Sequence, residues 1–314
     1  MGSTLKSPAL EPGVNRIEFP SSGTRVVGNV FCPENLEGDK EYPALVAAGP
    51  LASVKEQAPG IFAQALATRG YIALAFDYRR YGESEGEPRQ YEDPASKTED
   101  FQNAVSFLRT LENVDANRLG ALGICASSSY ISAALMSDTR IGAFGTVSAH
   151  FSLYEFFAAN PLASDEQKSM MLVTSNESRQ HYFETGEVET NDMVWPDMTG
   201  EEEGQFFQDI YDYYFARRAE EWPRFSNHLV PFSYEQLLRS HALDYAPHVT
   251  IPYLGIVGSE AVTRSYTERF AEAKERGLSQ VEVIDGATHI QTYDRPEYVG
   301  QAVDALDTFY GRHL

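Results

Sequence analysis

One short stretch has the residue types of a nucleophile held on a tight turn: Leu122-Gly123-Ile124-Cys125-Ala126-Ser127. It follows an apolar, strand-like run and opens a helical pattern, the context that a strand-turn-helix nucleophile elbow requires. The usual G-x-S-x-G reads Gly-Ile-Cys-Ala-Ser here. Small residues are needed because the nucleophile's backbone is strained in the turn and neighbouring backbone passes close to it. Gly123, Ala126 and Ser127 are small enough. At a helix N-terminus, unpaired N–H groups are expected to lower a thiol pKa and favour the thiolate. A free cysteine is more often an inert core residue, but this frame makes Cys125 the candidate nucleophile. Cys32, beside Pro33, has no such frame and is expected to be structural. Ser127, Ser128 and Ser129 fall past the apex, in the first helical turn.

A second signal is Asp285-Gly286-Ala287-Thr288-His289, after the last strand-like run. Parallel sheets place ligands at the C-terminal ends of their strands, and the chain order nucleophile, acid, histidine fits Cys125 and His289. His289 is the candidate general base. His150, His181, His228, His241 and His248 are expected at the surface or in a pocket wall. The orienting acid is expected in Gly258-Ser259-Glu260-Ala261-Val262, where Glu260 is the one carboxylate, with Asp77 in reserve. A cysteine depends less on a third group than a serine does, because its thiol ionises more readily. An oxyanion hole needs two backbone donors. The N–H of Ala126 is one, and Leu51 or Ala52, after Gly49-Pro50, is expected to supply the other.

These residues need a scaffold, and the chain alternates accordingly. Val14 to Phe19 and Arg25 to Phe31 read as a hairpin around Ser21-Ser22-Gly23. Ala44 to Ala48 is a continuous apolar run, as in a strand buried on both faces. Then follow a helix (Pro59 to Arg69), a strand (Tyr71 to Phe76), a helix from Asp93-Pro94 to Leu111, a strand (Arg118 to Ile124), a helix (Ser127 to Ser137) and a strand (Ile141 to Val147). The rhythm resumes with a strand (Tyr253 to Val257), a helix (Ser265 to Arg276), a strand (Val281 to Ile284) and a helix (Pro296 to Phe309). Strand-helix-strand repetition implies an α/β fold with a mostly parallel sheet flanked by helices. Residues 1–149 and 251–314 are expected to form this core. Residues 150–250, rich in acids and aromatics, are too long for a structureless loop and are expected to form a helical lid. Tyr211, Tyr214, Phe215 and Trp222 are its candidate substrate-binding residues, beside Phe206, Phe207, Tyr213 and Phe225. Trp195 belongs to the same aromatic set, while Glu201-Glu202-Glu203 and Glu220-Glu221 are expected to be solvated faces.

The chain has 314 residues, 46 acidic against 25 basic, a formal charge of −21. That balance argues against nucleic acid and anionic membranes as partners. Two cysteines far apart make neither a disulfide scaffold nor a zinc site, so no metal and no cofactor are expected. Met1 to Leu10 lacks a basic region followed by an apolar stretch, no run reaches the length of a membrane helix, and a cytoplasmic location is expected. A homodimer is allowed.

The chain resembles the α/β-hydrolases over nearly its whole length. More narrowly it is similar to a dienelactone-hydrolase-related group that contains YcjY-type bacterial hydrolases and fungal polyketide transferases and thiohydrolases. The stretches that carry the resemblance are Gly49-Pro50 with Val54-Lys55-Glu56-Gln57, Ala75-Phe76-Asp77, Gly82-Glu83-Ser84-Glu85-Gly86-Glu87-Pro88-Arg89, Glu92-Asp93-Pro94 and Leu122-Gly123-Ile124-Cys125-Ala126. It implies a cysteine-centred triad matching Cys125 and His289, acting on an ester, lactone or thioester. Two departures narrow the site: serines 127–129 stand where relatives carry glycines, and Leu51 stands after Gly-Pro where they tend to have glycine.

The expected function is acyl transfer to water or another acceptor, hydrolase and acyltransferase being left open, on a bulky apolar or polyketide-like small molecule. The alternatives are a catalytically silent binding protein, or a non-covalent cyclase or lyase of secondary metabolism that uses His289 as base.

Overall fold

The computed structural model describes residues 8–157, 164–194, 204–216, 221–275 and 277–314. The elements along the first half are β1 (Gly13–Ser21), β2 (Thr24–Cys32), β3 (Tyr42–Ala48), α1 (Ala58–Ala67), β4 (Ile72–Phe76), α2 (Pro94–Leu108), β5 (Val114–Ile124), α3 (Ser127–Leu135) and β6 (Ala143–Val147). After these come α4 (Leu153–Phe157), α5 (Asp165–Thr185), β7 (Asn191–Asp192), α6 (Gly204–Tyr211), β8 (His228–Leu229) and α7 (Tyr234–Leu237). The last are β9 (Tyr253–Gly258), α8 (Arg264–Ala273), β10 (Ser279–Ile284) and α9 (Pro296–His313).

Eight strands form one sheet in the order β1-β2-β4-β3-β5-β6-β9-β10. β1 and β2 are an antiparallel hairpin turned by Ser22 and Gly23, both at positive φ, the backbone a two-residue hairpin loop demands. β2 also meets β4 antiparallel, and every pairing from β4 onward is parallel. The fold is therefore an α/β-hydrolase type. Side-chain alternation explains the apolar runs: Ala44, Val46 and Ala48 face one hydrophobic cluster with α2 and α3, while Leu45 and Ala47 face another with α1 and α9. A strand covered on both faces has no polar side to show.

Boundaries differ from expectation where polarity misleads. β5 starts at Val114 rather than Arg118, because a register irregularity against β3 lets the polar Asp115-Ala116-Asn117 join the strand. α2 is capped as expected, Asp93 accepting from the Ala95 N–H with Pro94 next. Between β6 and β9 the described chain is mainly helical, α5 alone spanning 21 residues, with β7 and β8 paired antiparallel. Trp195, Glu201, Glu202, Glu203, Glu220 and Arg276 lie outside the described residues, as does most of the Met1 to Leu10 segment. No helix among the described residues is long and apolar enough to cross a membrane.

Candidate active site

The sheet brings its reactive residues to one edge, on the loops that follow β3, β5, β6, β9 and β10. Cys125 turns the chain from β5 into α3 at φ 55, a left-handed conformation that costs a non-glycine residue about 1–2 kcal/mol. Its N–H donates to the Val147 carbonyl (3.1 Å), and its own carbonyl accepts from Ser128 and His150 N–H (3.1 and 3.0 Å). The need for a small residue before it is direct: a Cβ on Gly123 would lie 2.8 Å from the Ser128 Cα.

The three serines that follow Ala126 are buried ties. Ser127 Oγ donates to the Gly49 carbonyl and lies 3.0 Å from the Tyr78 hydroxyl. Ser128 Oγ donates back to Gly123 (3.1 Å), and Ser129 Oγ to the His150 carbonyl (2.6 Å). The elbow is thereby fastened to the loops after β3 and β6.

Leu51 and Ala126 border the same cavity as Cys125, and their backbone N–H groups favour its thiolate. Ala52 follows Leu51, buried, at φ 54. A buried lysine supports this loop from below: Lys55 Nζ lies 3.0 Å from Asp77, 2.7 Å from Glu83 and 2.7 Å from Glu56. The Asp77 carboxylate also accepts from the N–H of Lys55 and of Glu83. Asp77 is thus committed to the loop and does not serve as the reserve acid of His289.

His289 is buried in the loop after β10. Its Nδ1 lies 2.7 Å from Thr263 Oγ1, and its Nε2 lies 2.7 Å from the Tyr293 hydroxyl. Tyr293 borders the same cavity as Cys125, and its hydroxyl favours the Cys125 thiolate. The structure does not bring Glu260 to the histidine. Glu260 is exposed and accepts from Ser259 Oγ (3.0 Å), because the loop turns it outward and turns Thr263, the residue preceding α8, inward.

Electrostatics also differ from the sequence expectation. Burial pushes the Cys125 thiol up to about 11, outweighing the hydrogen bonds from Tyr293, Ala126 and Leu51 that favour its thiolate. Burial, with His150 nearby, pushes His289 down to about 3. The resting pair is a neutral thiol and a neutral imidazole, since low-dielectric surroundings penalise both charged forms.

Beside Cys125 lies a cavity of about 200 Å³, partly open to solvent. Its walls are mostly apolar, including Leu153, Phe156, Met193, Phe206 and Ile210, a lining typical of small-molecule sites. Of the four expected substrate contacts, Tyr214 lines it. Tyr211 instead packs against Phe215 (5.2 Å), and Trp222 against Tyr213 (5.0 Å). These three pack among the segment's own aromatic residues. His150 also lines the cavity; both its ring nitrogens are buried without a partner among the described residues, and burial pushes it down to about 4. Thr263 and Tyr293 were not legible in the sequence, because a hydroxyl in place of an acid or base carries no motif. Among the described residues no group of three or more His, Cys, Asp or Glu side chains gathers as for a metal ion.

The family model for X-Pro dipeptidyl-peptidase (S15 family) matches residues 22–202. The uncharacterized protein YcjY of Escherichia coli is 29% identical over 306 residues, covering 96% of this chain and 99% of that one. The uncharacterized protein PA2218 of Pseudomonas aeruginosa is 31% identical over 302 residues, covering 93% and 78%. Its crystal structure superposes with a TM-score of 0.83 over 100% of this chain and 98% of that one, at 28% identity. A thiohydrolase, aneE, of Aspergillus aculeatus is 34% identical over 132 residues, 42% of this chain and 40% of that one. The crystal structure of the α/β-hydrolase GrgF from Penicillium shares the fold, with a TM-score of 0.78 at 20% identity over 96% and 98% of the two chains. Sheet order, elbow and family match agree: the chain belongs to the X-Pro dipeptidyl-peptidase (S15) family, on the α/β-hydrolase fold, and is a hydrolase or acyltransferase.

Proposed function

We propose that this protein transfers the acyl group of an ester, lactone or thioester through a covalent intermediate on Cys125. One observation carries the reading: a cysteine held at φ 55 lies on a cavity wall shared with His289, with the backbone N–H groups of Leu51 and Ala126 beside it. A carbonyl attacked by that sulfur places its developing oxyanion beside the same two donors. His289 takes the thiol proton on attack and returns it to the leaving group, and Thr263 holds the far ring nitrogen. The acceptor, water or another nucleophile, then releases the acyl group by the reverse sequence. A thioester suits this site, because thioester exchange on a cysteine is nearly thermoneutral. The apolar cavity favours a bulky acyl group, with residues 150–250 acting as the lid, and the thiohydrolase relative supports the substrate class.

The neutral thiol and the hydroxyl in place of a carboxylate favour a second reading, in which His289 acts as a base and Cys125 only packs. Turnover of a panel of p-nitrophenyl esters and N-acetylcysteamine thioesters separates the two. Covalent catalysis predicts that Cys125→Ala and His289→Ala each lower kcat by at least about 10²-fold. Substantial activity in Cys125→Ala with none in His289→Ala would establish the non-covalent reading instead.

A further inference from the structure

His150 and His289 stand on the same cavity wall with opposite hydrogen-bonding states. His289 has both ring nitrogens engaged, Nδ1 by the Thr263 hydroxyl and Nε2 by the Tyr293 hydroxyl, each at 2.7 Å. Both ring nitrogens of His150 are buried and have no partner among the described residues. A buried polar group left in that state is costly, and nearly all native ones have a partner. The ring is also held in place. The His150 N–H donates to the Cys125 carbonyl (3.0 Å), and its carbonyl accepts from Ser129 Oγ (2.6 Å). Phe156 meets the ring edge-on at 4.8 Å, and Tyr266 packs on it at 5.2 Å. The Glu155 carboxylate, on α4, is taken by Arg269 at 2.7 and 3.0 Å.

We infer that His150 is a specificity-determining residue, which hydrogen-bonds an uncharged oxygen substituent, a hydroxyl or an oxo group, on the acyl chain of the substrate. The inference rests on the acyl-transfer reading above, which makes Cys125 the point where that chain is held. The backbones of His150 and Cys125 are bonded to each other, so the recognised oxygen sits within a few carbons of the carbonyl that the sulfur attacks. A neutral imidazole offers one N–H and one lone pair. It donates to an oxo oxygen or accepts from a hydroxyl. A charged chain does not fit: the described lining contains no Lys, Arg, Asp or Glu to pair with it, and an unpaired buried charge is far more costly than a neutral group. An unsubstituted chain leaves the imidazole unpartnered, whereas an oxygenated one satisfies it, and that difference is the selectivity.

The test is isothermal titration with hexanoyl amides of N-acetylethylenediamine, in which nitrogen replaces the thioester sulfur and transfer is resisted. The chain is unsubstituted, or carries a hydroxyl or an oxo group at its third or fifth carbon. At least one oxygenated amide is expected to bind the wild-type protein about 10-fold more tightly than the unsubstituted parent, the worth of one buried hydrogen bond. In His150→Phe that ratio is expected to fall to within about 2-fold, with the parent bound at least as well as before. Structural damage alone would weaken both ligands together and keep the ratio, so a ratio preserved in His150→Phe overturns the proposal. A wild-type protein that binds no oxygenated amide more tightly than the parent also overturns it, whether or not His150→Phe folds. The matching N-acetylcysteamine thioesters are expected to show the same preference in kcat/KM. If the amide preference holds and no thioester is turned over, the acyl-transfer reading alone fails and His150 stands as the oxygen-recognising residue of the cavity.

Discussion

Cys125 combines a thiol on the cavity wall with a backbone conformation that a side chain resists. Its φ of 55 is held by hydrogen bonds from both sides of the turn. Glycine has no such penalty. Cys125→Gly is therefore expected to be more stable than Cys125→Ala by roughly 0.5–1 kcal/mol in urea denaturation. The reverse order would show that the turn stores no strain. That Cys125, Leu51, Ala126 and His289 meet at one cavity was legible because each stands in a local pattern: small residues at an elbow, a Gly-Pro loop, a histidine after a strand. The partners of His289 were not. Thr263 and Tyr293 meet His289 through hydroxyls placed by tertiary packing, and the one carboxylate in the loop, Glu260, faces outward. The lowered thiol pKa expected from the helix N-terminus was outweighed by burial, a quantity invisible in a local stretch of sequence.

The elements themselves were read well, because strands covered on both faces leave continuous apolar runs and breakers mark their ends. What the pattern did not show is how the loop after β3 is held. Lys55, with 1% of its side chain exposed, sits among Asp77, Glu83 and Glu56. Removing the cation leaves buried Asp77 without its counter-charge, and breaking such a pair typically costs about 3–5 kcal/mol. Lys55→Met is expected to lose about 3 kcal/mol in denaturant unfolding and to slow acylation, because Leu51 rides on the same loop. A loss below about 1 kcal/mol, the range of surface ion pairs, would mean that the cluster is effectively solvated. The aromatic stretch between β6 and β9 was less legible. Tyr214 reaches the cavity while Tyr211, Phe215 and Trp222 pack with neighbouring rings, and composition alone does not tell those fates apart.

For the whole molecule, two buried histidines link stability to pH. His150 is held down to about 4 and His289 to about 3, both mainly by burial. An unfolded histidine takes up its proton near pH 6.5. Above that value both states are neutral and the contribution is fully present. As pH falls from 6.5 toward 4, the unfolded chain binds protons that the folded one does not, and stability is lost. Between pH 7 and pH 5 wild type should lose roughly 2 kcal/mol more than His150→Phe, measured by urea denaturation at the two pH values. Equal losses would show that the His150 ring is hydrated or paired in solution. The net charge of −21 adds a general repulsion that salt screens, so the comparison belongs at one fixed ionic strength.

The most direct test of the central claim is the mass of the protein seconds after mixing with an acyl N-acetylcysteamine thioester, followed by peptide mapping. Covalent catalysis predicts one added acyl group, located on Cys125, absent from Cys125→Ala and formed slowly in His289→Ala. Turnover by the wild-type protein with no adduct at any time, and retained by Cys125→Ala, would contradict it.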